Sequence, residues 1–93
     1  MRKFDMISIS MARKLAMDDD YIVIDLRSRS EYEQGHIKYA VNIPNGEVNT
    51  IIRNVPKDKI YIFYCRRGSR SFSVAGEMAE RGYRSMAVVG GYR

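Results

Sequence analysis

Ile60-Tyr61-Ile62-Phe63-Tyr64-Cys65-Arg66-Arg67-Gly68-Ser69-Arg70-Ser71 is the stretch on which the reading of this chain turns. An apolar run of β-branched and aromatic residues ends at the only cysteine, which marks a buried strand. A short loop with one glycine and three arginines follows, and helical periodicity begins at Ser71 or Phe72. Strand, tight loop and helix start together aim backbone N–H groups and the positive end of a helix at Cys65. Gly68 supplies the sharp curvature such a loop needs. Successive inward N–H groups then form a concave nest for an anion.

An unperturbed thiol has a pKa near ~8.5, so little thiolate exists at neutral pH, and a helix N-terminus with neighbouring cations lowers that value. Residue type alone makes a lone cysteine a small buried hydrophobe. Context argues otherwise, because Cys65 follows the strand end and precedes Arg66, Arg67 and Arg70. Cys65 is therefore the expected nucleophile. Arg66, Arg67, Gly68, Ser69 and Arg70 are the expected anion-binding loop, supported from behind by Ser71.

Outward from this stretch the chain alternates strand and helix. Tyr21-Ile22-Val23-Ile24-Asp25 is continuously apolar up to its carboxylate, as in a strand covered on both faces of a parallel sheet. Further strands are expected at Met6–Ile9, Ala40–Ile43 and Ser85–Val89. Helices are expected over Met11–Met17 capped by Ser10, Ser30–Gly35 capped by Ser30, Gly46–Asn54 capped by Asn45, and Ser71–Arg81 closed by Gly82. Met11, Ala12, Leu15 and Ala16 share one helical face, and Met6, Met11 and Met17 read as core filler, not as metal ligands. The pattern is α/β with a mostly parallel sheet of about five strands flanked by helices. In such sheets sites lie beyond the carboxyl ends of the strands, where Asp25 and Cys65 both fall.

Composition bounds the rest. The 93 residues form one domain, 45% hydrophobic, which excludes a disordered chain. One cysteine excludes an internal disulfide, and a reactive thiol is best kept reduced, which favours a cytoplasmic location. The basic start at Met1-Arg2-Lys3 is broken by Asp5, Arg13 and Lys14, so neither a signal peptide nor a membrane span is expected. The net charge of +5 reflects the arginine loop and scattered lysines. Without aromatic and basic residues interleaved, it does not suggest a nucleic-acid groove.

Asp25-Leu26-Arg27, Glu31-Tyr32, Gly35-His36-Ile37 and Ala40-Val41-Asn42-Ile43-Pro44 resemble, in order, the N-terminal signature of the single-domain rhodaneses, a sulfurtransferase family. Cys65 to Arg70 resembles that family's active loop, and Arg81-Gly82-Tyr83 through Val89-Gly90-Gly91 its closing pattern. The resemblance implies a double displacement without a cofactor. The Cys65 thiolate takes the outer sulfur of an anionic donor such as thiosulfate, and the persulfide passes it to cyanide or a thiol, with a protein as a further possible donor or acceptor. The loop arginines would hold the sulfonate end of the donor. Two departures stand out: Tyr39 occupies a position commonly glycine in the family, and a terminal helix that commonly follows Gly-Gly is missing before the end at Arg93. The chemistry needs no general base, so His36 reads as a hydrogen-bonded structural residue. Asp25, Arg27 and Glu31 read as a buried ion-pair lattice, with Asp25 supporting the loop from behind.

Two rival classes share the loop. Cysteine-dependent phosphatases and arsenate reductases also place a cysteine before a helix and close with arginine, but their loops are one residue longer. Four residues separate Cys65 from Arg70 here, and Ser71 stands where that arginine would be. The other rival is a rhodanese-like module that binds or carries sulfur without turnover.

Overall fold

A computed structural model describes residues 3–92. The readings of the Met1-Arg2 start and of the end at Arg93 lie outside these residues. The strands are β1 (Asp5–Ile7), β2 (Tyr21–Asp25), β3 (Val41–Asn42), β4 (Ile60–Tyr64) and β5 (Arg84–Val88). The helices are α1 (Ile9–Leu15), α2 (Arg29–Gln34), α3 (Val48–Arg53) and α4 (Ser69–Glu80). The strands form one sheet in the order β1-β5-β4-β2-β3, with each pairing parallel.

Every residue of β4 is buried, as its unbroken apolar run demands. Period-two alternation sends Tyr61 and Phe63, and beyond them Cys65, to the face covered by α3 and α4, together with Ile24, Ile51, Val74 and Met78. Ile62 and Tyr64 face the opposite side with Ala12, Val23, Ile37 and Val88. The core is thus two thin layers on either side of one strand, and β4 is common to both.

Several element boundaries differ from expectation. Ser8, not Ser10, caps α1, its side chain accepting from the Met11 N–H at 3.0 Å. Ala12 is buried as expected, whereas Met6, Met11 and Met17 are exposed and fill no core. Ser28, not Ser30, caps α2 and forms a reciprocal capping box with Glu31. Asn45 does not cap α3. It sits in the left-handed region at φ 50°, and Glu47 takes the cap position without a side-chain bond. Helix α4 starts two residues early, directly behind Gly68. Among the described residues, no helix is long and apolar enough to cross a membrane.

The strand order fixes where a ligand can enter. From β2 the chain moves outward to β3, whereas from β4 it moves the other way to β5. The connections leaving these adjacent strands therefore part, opening a crevice at their carboxyl ends. Asp25-Leu26-Arg27 forms one bank and Cys65-Arg66-Arg67 the other.

Candidate active site

Cys65 lies at the floor of that crevice, with 6% of its surface exposed. A cavity of about 340 Å³ opens above it, walled by Leu26, Arg27 and Ser28 on one side and by Arg66, Arg67 and Ser69 on the other. Gly68 stands at φ 100°, a left-handed conformation that turns the loop straight into the first turn of α4. The Gly68 N–H donates to Cys65 Sγ at 3.1 Å.

Burial pushes the Cys65 thiol up, but the Ser71 N–H and hydroxyl and the Arg67 and Gly68 N–H groups outweigh it and bring the thiol below its ordinary value. The Ser71 hydroxyl also lies 2.8 Å from the Gly68 carbonyl. One hydroxyl proton serves one acceptor at a time, and an ionised sulfur is the stronger one. The thiolate is therefore held by peptide groups and one hydroxyl, a narrower set than the arginine cluster expected from sequence.

The three loop arginines have separate roles. Arg70 donates to the carbonyls of Asn45 and Gly46 at 3.3 and 3.1 Å, which ties the loop to the entry of α3. Arg66 Nε sits 3.4 Å from Glu31 Oε2 on the opposite bank. Arg67 lines the cavity with its guanidinium unengaged among the described residues.

Asp25 does not touch the loop. Its carboxylate is fully buried and receives the Arg27 N–H at 2.8 Å and Arg27 Nη2 at 2.8 Å. Nη2 also donates to the Gly35 carbonyl at 2.7 Å. Burial disfavours the Arg27 charge, but the bonds and charge of Asp25 win, so the guanidinium pKa is raised. Asp25 thereby fixes a cation whose side chain forms the cavity wall. Of the expected three-member lattice only the Asp25–Arg27 pair is buried; Glu31 pairs instead with Arg66 at the cavity mouth.

His36 is occupied elsewhere. Its ring stacks on Tyr32 at 3.8 Å between centroids, and Nδ1 lies 2.9 Å from the Ile37 carbonyl. No general base is built against Cys65 from it.

Sequence reasoning missed one support of the loop. The Tyr92 N–H donates to the Cys65 carbonyl at 2.9 Å, and the Tyr92 ring lies under the Arg27 guanidinium at 4.1 Å. A Cβ on Gly91, at φ 75°, would collide with the Arg66 carbonyl. The Gly90-Gly91 pair was the available signal: two glycines leaving a strand let one backbone lie directly against another.

The Rhodanese-like domain family matches residues 8–93. The chain belongs to that family. A rhodanese-like sheet explains why the cysteine loop follows the central strand and the arginine bank follows its neighbour. A protein of Allochromatium vinosum named sulfurtransferase is 32% identical over 76 residues, covering 82% of this chain and 71% of that one. The thiosulfate sulfurtransferase GlpE of Coxiella burnetii is 28% identical over 90 residues, covering 96% and 84%. Among solved structures, reduced CoADR-RHD of Bacillus anthracis superposes with a TM-score of 0.83 at 31% identity, spanning 95% of this chain and 16% of that one.

Proposed function

We propose that this rhodanese-like chain is a sulfurtransferase that carries sulfane sulfur as a persulfide on Cys65. The observation that carries the reading is a thiol of lowered pKa, held by peptide N–H groups at the floor of an open, arginine-walled cavity. In the first step the Cys65 thiolate attacks the outer sulfur of thiosulfate. The new S–S bond forms as the old one breaks, and sulfite leaves with the electron pair. Charge is conserved, because thiolate and thiosulfate dianion become persulfide anion and sulfite dianion. In the second step cyanide or a thiolate attacks the terminal sulfur, and Cys65 leaves as thiolate. No proton is removed in either step, so the site needs no general base.

Both resting forms place negative charge at the end of the cysteine side chain. The donors that lower the thiol pKa therefore also suit the persulfide, which is electrostatic preorganisation. In this reading Arg67 receives the sulfonate oxygens, with Arg66 joining only as it parts from Glu31, whereas Arg70 works through the loop backbone. The sulfurtransferase names of the relatives agree with this chemistry, and thiosulfate as donor follows the Coxiella relative's name. The phosphatase alternative finds Ser71, already engaged with the sulfur and the Gly68 carbonyl, where its closing arginine would stand.

Intact-mass measurement after thiosulfate tests the reading directly. The protein is expected to gain one sulfur atom and to lose it on addition of cyanide, with thiocyanate released. Cys65→Ser should gain none, and para-nitrophenyl phosphate should stay intact with either protein. Failure of the wild-type protein to gain sulfur from thiosulfate and from a small persulfide alike would overturn the proposal. One observation favours a carrier variant of it: two of the three loop guanidiniums are engaged, leaving little to grip a small anion. Loading from a persulfide but not from thiosulfate, with no thiocyanate produced, would select that variant.

A further inference from the structure

One acid stands among the cations that line the sulfur cavity. Arg27, Arg66, Arg67 and Arg70 line it, and Glu31 is the sole acidic residue among its lining. Glu31 uses its two oxygens separately. Oε1 lies 3.3 Å from the Ser28 N–H and 3.1 Å from the Ser28 hydroxyl, closing the capping box of α2. Oε2 faces Arg66 Nε across the cavity mouth at 3.4 Å. The cap anchors the carboxylate, so the more exposed Arg66 is the partner that is positioned.

The geometry points to Glu31 as a specificity-determining residue that holds Arg66 against α2 and biases the site toward sulfur donors of lower charge than a dianion. This inference rests on the sulfurtransferase reading above. A dianion entering the cavity competes with Glu31 for Arg66 and is repelled by the carboxylate itself. A monoanion carrying the same transferable sulfur feels about half that repulsion, because the energy scales with the product of the charges. The Arg66 and Glu31 side chains are 73% and 33% exposed, so solvent keeps the bias modest.

Glu31→Gln separates the two duties. Glutamine serves at the third helical position of a capping box, so the start of α2 survives while the charge is removed. The measurement is persulfide formation on Cys65 against donor concentration at low ionic strength, with thiosulfate as the dianion and an aryl thiosulfonate as the monoanion. Glu31→Gln should lower the half-saturating thiosulfate concentration roughly two- to fivefold, the range open to an exposed pair. It should move the thiosulfonate value less. In an Arg66→Gln background the same change should have a smaller effect, because the two groups act as a pair. Unchanged half-saturation in Glu31→Gln, an equal shift for both donors, or an undiminished shift in the Arg66→Gln background overturns the inference. Loading of the wild-type protein from a small persulfide but from neither of these donors overturns the inference alone, whereas no loading from any of the three brings down the sulfurtransferase reading itself.

Discussion

Enclosing a thiolate strips it of water, and Cys65 is nearly enclosed, yet its thiol lies below the ordinary value because several hydrogen-bond donors converge on the sulfur. Removing one of them should therefore be visible. Ser71→Ala keeps the backbone N–H and deletes the hydroxyl, so the midpoint of Cys65 alkylation against pH should move up toward ~8.5, the value of a free thiol. The wild-type midpoint should lie below that value. The same shift has a stability consequence with a definite sign. A cysteine whose folded pKa is depressed adds stability in full above its unfolded pKa, and that addition is lost as pH falls through the folded value. The stability advantage of the wild-type protein over Cys65→Ser, measured by urea unfolding, should shrink on acidification across that window. Arg27 presents the opposite hazard. Arg27→Ala strands a fully buried Asp25 carboxylate, and the expected loss is about 3–5 kcal/mol in the same unfolding experiment.

At the scale of elements, the long apolar runs were readable because burial on both faces leaves no alternative to hydrophobic residues in β2 and β4. The caps were less so. Ser28 precedes α2 and Ser30 is its second residue, and each has a Glu three residues on, Glu31 and Glu33, so the capping-box pattern alone does not choose between them. Asn45 preceded a helical pattern but serves as a left-handed turn residue, a role asparagine also accepts. Tyr39 is the more telling case. It holds φ 73° in the turn before β3, where the resemblance pointed to glycine. The turn demands a left-handed residue there, and a side chain makes that conformation strained. Tyr39→Gly should raise stability by about 0.5–1 kcal/mol, since relief of left-handed strain exceeds the added entropy of an unfolded glycine. Differential scanning calorimetry would register it as a higher melting temperature, and a lower one would show that the exposed ring contributes more than its backbone costs.

For the whole molecule, the fold class followed from alternation and from unbroken strands, and the cysteine loop was legible because its neighbours in sequence are also its neighbours in space. The contacts that escaped, Glu31 with Arg66, Arg70 with the Asn45 and Gly46 carbonyls, and Tyr92 with Cys65, join distant positions. The first two exist because β2 and β4 lie side by side in register, Asp25 opposite Tyr64, and the third because β5 flanks β4 on its other edge, none of which local pattern states. The molecule's charge of +5 is partly gathered at this mouth, so donor capture should depend on ionic strength. The half-saturating thiosulfate concentration should rise as salt is increased from roughly 0.01 to 1 M, while the screening length falls from about 30 to 3 Å. A flat response would mean that guanidiniums contribute little to capture.

The bond from Tyr92 to the Cys65 carbonyl also sets an order of events during synthesis. A ribosome delivers residue 65 well before residue 92, so strand β4 and its loop exist for a time without the backbone that later lies against them. Until Gly91 arrives at the Arg66 carbonyl, nothing on that side holds the arc of amides in shape. A released chain truncated after Val88 should therefore expose a thiol that reacts like free cysteine. The shape of the cysteine loop thus waits on residues 90–92.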